Sequence, residues 1–303
     1  MNLRRVDLNL LTVFDAVYTE GNMSRAAEKI SMSQPALSLA ISRFRHLAGD
    51  ELFERAGRGV RPTPRANELA APIRRALDMI IGALEQGADF DAATSDRTFN
   101  LLLGDAGELI LMPPLMRWLE AIQANVQINT LPMAGTDVRK EMHFGNVDLY
   151  LWITPLDTDD NVFVSQQIGV DRNVCLVSAD HPTVGDSIDL EQYAELRHVT
   201  LRLPGDYGPS LVDRELWSHD LKREHAMVVH SFFEFPRIIS STNMVGTVPG
   251  KIAKSLAEVH KLKILPAPIE YEMPIYLTWP QALDTDPGHR WLRELLIGFY
   301  ESL

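Results

Sequence analysis

Hydrophobic positions in the first ninety residues recur at helical spacing. Leu8, Leu11, Val13, Phe14 and Val17 put an apolar face on "DLNLLTVFDAVYTEG", and Gly21 supplies a position at which a helix can end. Ser24 is expected to cap a second helix, "SRAAEKI", with Ala26, Ala27 and Ile30 turned inward. After the break Ser31–Gln34 comes a third helix, roughly Gln34–Leu47, with Ser33 as N-cap. Pro35 fits there because first-turn amides have no intrahelical partner. Ala36, Leu37, Ala40, Ile41, Phe44 and Leu47 form the inner face, leaving Gln34, Pro35, Ser38, Ser42, Arg43 and Arg45 outside. The small alanines of the second helix let the third cross closely, which is helix-turn-helix geometry. "ELFERAGRGVRPTP" reads as a hairpin wing with Arg58 at its tip. Thr63 and Pro64 then open a long helix whose stripe is Leu69, Ile73, Ala76, Leu77, Ile80, Ile81 and Leu84. That stripe needs cover, from a second copy or from its own domain, and Pro72 is expected to kink the helix. "GADFDAATSD" has the composition of a linker.

From residue 96 the pattern changes. "FNLLLG", "VQINTLP", "VDLYLWIT", "RNVCLVS", "RHVTLRL", "AMVVHS", "MVGTVP" and "PIYLTW" read as strands. "LILMPPLMRWLEAIQAN", "TDVRKEMHFG", "FPRIISST" and "HRWLRELLIGFYESL" read as helices. Apolar strands separated by helices predict a parallel sheet covered on both faces, an order that two α/β lobes with a cleft between them would fit. Ligands in such sheets sit outside the carboxyl ends of strands, where helix N-termini offer free amides. That rule selects Asp105 and Gly107 after the first strand, Arg172 before "NVCLV", Ser231 and Phe232 after "AMVVH", and Lys251 at a helix start. With Arg172 and Lys251 facing the cleft and Phe232 as an apolar wall, the ligand is anionic or phenolic. The alternative is that both cations are ordinary surface charges.

Composition adds limits. A chain of 303 residues, 46% hydrophobic and 23% charged, suits two or three domains with ordinary cores. No apolar run approaches the roughly 18 residues of a membrane span, and "MNLRRVDLNLLTVF" lacks a signal-peptide core, so the cytoplasm is expected. Lone Cys175 in "NVCLVS" excludes an intrachain disulfide and reads as a small core hydrophobe. The net charge of −12 argues against a nucleic-acid partner until its distribution is read. Residues 1–87 hold twelve basic and ten acidic side chains, and the remainder seventeen against thirty-one. Arg55, Arg58, Arg61 and Arg65 fall in a stretch free of acid. A cationic front on an acidic body suits a nucleic-acid-binding module, although a solvated basic loop would look the same. On the third helix Gln can pair with adenine, hydroxyls reach bases or phosphates, and Arg takes guanine or phosphate. The candidate DNA contacts are Ser24, Arg25, Ser33, Gln34, Pro35, Ser38, Ser42, Arg43, Arg55, Arg58 and Arg65.

No catalytic or metal-binding set assembles. The two histidines of "HAMVVH" face opposite sides of a strand, and "DTDD" at 157–160 reads as a solvated turn. "GDYG" and "GTVPG" are too short for phosphate loops, and no Gly-x-Ser-x-Gly elbow occurs. No catalytic residue, metal or cofactor is expected.

From Asp7 to Arg55, "DLNLLTVFDAVYTEGNMSRAAEKISMSQPALSLAISRFRHLAGDELFER", and in the following "RPTPRA", the chain resembles LysR-type transcriptional regulators in order, spacing and residue type. Leu39 departs from the pattern, standing where many members carry a polar or basic residue. Further on, "LLLGDAGELILMPPL", "NVCLVSADHPT", "TVPGKIA" and "HRWLREL" are similar to the branch of nodulation regulators and regulators of aromatic-compound degradation. The resemblance implies a fold of class α plus α/β, with a winged helix-turn-helix over 1–62 and a dimerising linker helix over 63–87. A hinge at 88–95 would lead to a two-lobed effector domain of periplasmic-binding-protein type over 96–303. Lobe I would hold about 96–166 and 270–303, and lobe II about 167–269. It further implies double-stranded promoter DNA, a second copy (dimer, then tetramer) and RNA polymerase as partners. The controlling ligand would be a small inducer, an aromatic acid or phenol, at positions matching Arg172, Ser231 and Lys251. The competing reading is a two-lobed solute-binding protein or enzyme whose front helices serve only for assembly.

Overall fold

The computed structural model describes residues 6–57, 59–84, 90–156, 162–202, 208–258, 260–269 and 271–303. Arg58, residues 85–89, the acidic turn at 157–160 and most of "GDYG" lie outside them. The chain divides into two compact units, one formed by Met1–Asp89 and one holding most of the rest.

In the first unit, α1 (Asn9–Glu20), α2 (Met23–Lys29) and α3 (Gln34–Ala48) enclose a core centred on Phe14. The Phe14 ring meets Phe44 at 5.3 Å and Phe53 at 5.5 Å between centroids. Gly21, in the left-handed region at φ 56°, ends α1. The inner face of α1 is Leu10, Val13, Phe14, Ala16 and Val17; Leu8 is exposed because it precedes the first turn. Asn22, not Ser24, caps α2, its side chain accepting from the amides of Ser24 (2.9 Å) and Arg25 (3.1 Å). Asn directly after the left-handed glycine starts the helix early and leaves Ser24 on its exposed first turn.

Ser33 caps α3 as expected, accepting from the Ala36 amide. The buried face of α3 is narrower than its apolar pattern. Leu37, Ile41 and Phe44 are buried in one row, Ala40 is half-buried, and Ala36 and Leu47 are exposed. A helix lying across two others is covered along a single i, i+4, i+7 row, so apolar residues flanking that row stay outside. Arg45 is not a free cation. Its guanidinium donates to the carbonyls of Glu51 (2.7 Å) and Phe53 (3.1 Å), bracing the entry to the wing.

The wing is β1 (Phe53–Ala56) paired antiparallel with β2 (Gly59–Pro62). The Val60 amide donates to the Gly21 carbonyl at 2.8 Å. A Cβ on Gly59 would collide with that carbonyl oxygen, so the close approach requires glycine there. α4 (Pro64–Leu84) is capped by Thr63, whose hydroxyl accepts from Ala66 (3.1 Å) and donates to Asp50 (2.7 Å). It runs as one helix through Pro72. Its stripe divides in two. Leu69, Ala70, Ile73 and Leu77 pack on the first unit's own core, whereas Ile80 and Ile81 are 45% and 51% exposed. The Leu84 side chain lies outside the description. The Arg74 guanidinium holds Asp15 at 2.6 and 2.9 Å, and Tyr18 donates to Asn67 at 2.9 Å, so α1 grips the near half of α4 by polar contacts as well.

The second unit begins with Phe90, whose ring packs tilted against Trp291 at 4.8 Å between centroids. The linker-like composition of residues 90–96 belies their order. Asp91 accepts from Ala93 and Thr94, and the Ala92 carbonyl accepts from Asn125 at 2.7 Å. Then follow β3 (Thr98–Leu102), α5 (Gly104–Ala121), β4 (Gln127–Thr130), α6 (Val138–Phe144), β5 (Leu149–Trp152) and β6 (Phe163–Ser178). Next come α7 (Leu190–Glu195), β7 (Arg197–Leu201), α8 (Leu211–Ser218), β8 (Glu224–Val229), α9 (Phe235–Ser240), β9 (Met244–Pro249) and α10 (Gly250–Glu258). β10 (Leu262–Pro266), β11 (Glu272–Pro280) and α11 (Pro287–Glu301) complete the chain.

The strands form one sheet in the order β4-β3-β5-β11-β6-β9-β7-β8, with β10 beside β6. The expected all-parallel sheet is instead mixed. β3 pairs parallel with β4 and β5, and β7 with β8 and β9, but β11 and β6 run antiparallel through the middle. These two strands carry the chain between the lobes in opposite directions, which a purely parallel order cannot do. β6 pairs with β11 from Phe163 to Arg172 and with β9 from Asn173 to Leu176, so one strand serves both lobes. Cys175 is fully buried within it, and burial pushes its thiol up to about 12.

Candidate DNA-binding face and effector cleft

On the first unit, Ser24, Arg25, Ser33, Gln34, Pro35, Ser38, Ser42, Arg43, Arg55 and Arg65 are all exposed. Asn22 and Ser33 fix the starts of α2 and α3, so the first turns of both helices are presented to solvent. Several cations are pre-oriented by weak surface pairs: Arg25 with the Glu20 carbonyl, Arg61 with Glu54 (3.2 Å) and Arg65 with Glu68 (2.8 Å). Such pairs are exchanged readily for phosphate. Arg43 and Arg55 make no ion pair among the described residues. Leu39 is 56% exposed on the same helix.

In the second unit the expected ligand residues fall into two groups. Asp105 lies in the first turn of α5, which begins at Gly104 and not after Glu108 as the sequence pattern suggests. Its carboxylate accepts from the Phe232 amide at 2.9 Å, joining residues 127 apart. Ser231 caps the short turn Phe232–Glu234, accepting from Phe233, and Phe232 packs against Phe235 at 5.4 Å. Glu108 also lies in the first two turns of α5. Burial pushes its carboxyl up, a Thr130 hydrogen bond opposes this, and the Asp105 charge adds to the rise. Gly107 is not presented to a ligand: it is buried, and a Cβ there would press on Leu151 and Leu103. It sets the approach of α5 to the sheet.

The second group surrounds an open hollow of about 450 Å³ lined by Val170, Asp171, Arg172, Gly250, Lys251, Glu272 and Leu303. Arg172 and Lys251 therefore share a site, and both have partners in it. Arg172, 77% exposed, donates to Glu272 at 2.6 Å. The Lys251 ammonium lies 4.7 Å from the centroid of Tyr300, and its amide donates to both oxygens of Asp171 at 3.3 Å. Asp171 thus takes the Lys251 amide in the first turn of α10, where the helix N-terminus would otherwise favour a ligand anion. Asp171, Glu272 and Tyr300 were not singled out in the sequence. Their meeting depends on strand partners remote in the chain, and no local period encodes that. Tyr300 is 2% exposed, and its hydroxyl has no hydrogen-bond partner among the described residues. A side chain at Gly169 would strike its ring.

Known proteins match both units. The model of bacterial regulatory helix-turn-helix proteins of the LysR family matches residues 8–67, and that of the LysR substrate-binding domain matches residues 93–299. The HTH-type transcriptional activator NagR of a Ralstonia species is 36% identical, over 100% of both chains. The HTH-type transcriptional activator NahR of Pseudomonas putida is 32% identical over 99% of each. A solved structure of a probable transcriptional regulator from Pseudomonas aeruginosa is 31% identical, covers 98% of each chain and superposes with a TM-score of 0.69. Among the described residues no helix is long and apolar enough to cross a membrane. The chain belongs to the LysR family of transcriptional regulators, with a helix-turn-helix DNA-binding domain and a substrate-binding domain.

Proposed function

We propose that the chain is a cytoplasmic transcriptional activator whose α3 helices enter successive major grooves of a promoter under the control of a small aromatic or phenolic inducer. The observation that carries this reading is the exposure of Gln34, Pro35, Ser38, Ser42 and Arg43 on the one helix α3, whose start Ser33 caps, together with that of Arg25, Arg55 and Arg65. Those residues supply base-edge and phosphate contacts. The distal half of α4, with Ile80 and Ile81 bare, is the surface on which two copies pair, and effector domains join dimers into tetramers. RNA polymerase is the partner at the promoter. The names of the two activators above support activation over repression.

A dimer neutralising about six to ten phosphates should lose roughly 10³–10⁵ in affinity between 50 and 200 mM salt. It should also prefer its own promoter to random DNA by about 10³ or more. Fluorescence anisotropy against both duplexes measures each quantity, and equal weak binding to both refutes the reading. A monomer in light scattering at micromolar concentration refutes the assembly.

For the inducer, the Asp105–Phe232 bond supports a ligand site between the lobes, and the Arg172/Lys251 hollow supports an anionic or phenolic one. Lys251→Ala should abolish inducer-dependent transcription from a reporter while operator affinity stays unchanged. Full induction in that variant refutes the assignment of Lys251. Thermal-shift screening of aromatic acids and phenols identifies the class, since a ligand at 100 times its Kd stabilises the native state by about 2.7 kcal/mol.

A further inference from the structure

The part of α3 left uncovered is not uniformly polar. Leu39 lies four residues after Pro35 and three after Ala36, so it neighbours both on the helix surface, and all three are exposed. Leu39 is 56% exposed, while Leu37, Ile41 and Phe44 on the opposite row fill the core. Ala36 was expected inside from the apolar pattern; its exposure is what widens a single leucine into a short apolar edge. Ser38, Ser42 and Arg43 flank this edge on the same helix, and all three are exposed, as are Arg25 on α2 and Arg55 on the wing. Hydroxyls and arginines are complementary to a polyanion, not to the apolar face of a protein partner. The apolar feature that a DNA major groove offers among its donors and acceptors is the C5 methyl of thymine.

We propose that Leu39, supported by Pro35 and Ala36, packs on a thymine methyl group in the operator and makes the chain select thymine at that position. The proposal rests on the reading that α3 enters the major groove. Leucine has neither donor nor acceptor, so it discriminates by burying the methyl group and by leaving a competing cytosine amino group without a partner.

The test uses a duplex selected by the full-length chain from a randomised pool. Each thymine of the selected half-site is replaced in turn by uracil, which removes the C5 methyl group alone. For the native chain, uracil at one or two positions should weaken binding about four-fold, the worth of one buried methyl group. Leu39→Ala should bind the thymine duplex more weakly and lose the difference between thymine and uracil. Leu39→Met, which keeps the apolar contact, should retain it. The proposal is overturned if no thymine is methyl-sensitive, or if Leu39→Ala is as methyl-sensitive as the native chain. It is likewise overturned if Leu39→Ala alters oligomeric state and not base preference. Failure of the chain to enrich any duplex over random DNA would instead remove the underlying reading of α3, and the proposal with it.

Discussion

Arg223→Met is expected to destabilise the effector domain by about 3–5 kcal/mol, the cost of stranding a buried charge. Arg223 and Asp213 have side chains only 4% and 5% exposed and meet at 2.7 Å. The same guanidinium donates to Tyr193 Oη (3.2 Å) and Ser210 Oγ (3.1 Å), and Tyr193 in turn bonds Thr247 at 2.5 Å. Ser210 and Asp213 also close a capping box at the start of α8, so the arginine ties α8 to α7 and, through Tyr193, to β9. Burial pushes the Asp213 carboxyl up, but the hydrogen bonds from Arg223 and Ser210 outweigh it and hold the group below the ordinary carboxylate range. Asp213 is therefore a group whose stabilisation is present above its unfolded pKa and lost as pH falls through the folded one. Without Arg223, burial is left unopposed by the guanidinium and Asp213 takes up a proton more readily, so the deficit of the variant should shrink on acidification. All five tryptophans, Trp118, Trp152, Trp217, Trp279 and Trp291, belong to the second unit, so urea unfolding followed by fluorescence reports on it directly. Asp213→Asn combined with Arg223→Met should recover more than half of the loss. A single variant within about 1 kcal/mol of the native chain would show that the pair is not structural.

The same unit should also weaken in mild acid, before its carboxylates titrate. His198 and His289 are both fully buried, and each is held at about 3. Burial is the first cause in both. For His198 the nearby Arg223 charge adds to it, and for His289 a hydrogen bond to the Asp148 carbonyl opposes it. Both rings are thus neutral in the native protein, while in the unfolded chain they charge near pH 6.5. Their stabilising contribution is complete above that pH and is lost as pH falls from about 6.5 towards 3. Each histidine then costs about 1.4 kcal/mol per pH unit, so from pH 7.5 to 5.5 the two together should remove roughly 3 kcal/mol. That is a large share of the ~5–15 kcal/mol that holds a typical domain folded. The urea midpoint measured at pH 7.5, 6.5 and 5.5 reads this slope, and His198→Phe should roughly halve it. A midpoint that is flat over this range would mean that the rings are solvated in solution.

Much of the first unit was legible because its determinants are local. Gly21, Ser33 and Thr63 each mark an element end through a hydrogen bond or a φ value spanning three or four residues, and all three act as read. Where reading failed there, the error concerned coverage. Ala36 and Leu47 match the inward period of α3, yet the row that α1 and α2 can cover is one residue wide. The hollow around Arg172 and Lys251 was less legible for a different reason. Arg172 and Lys251 are recognisable as cations near helix and strand ends, but their carboxylate partners Glu272 and Asp171 are set by the pairings of β6 with β11 and β9. No spacing within the sequence announces that a site selected for its positive charge carries its own acids. Leu39 shows the converse: the sequence marks it as a departure from a pattern, and its exposure beside Pro35 and Ala36 is set by how α3 is covered.

β6 changes partners between Arg172 and Asn173 without interruption of its backbone. A single strand woven into both lobes behaves as a torsion rod. Rotation of one lobe against the other must be absorbed as twist at the point where its ladder passes from β11 to β9, because on either side it is clamped by neighbouring strands. Asp171 and Arg172 sit at that point. A change of twist there would shift Asp171 and Arg172, and with them the ion pair to Glu272 and the hydrogen bond from the Lys251 amide.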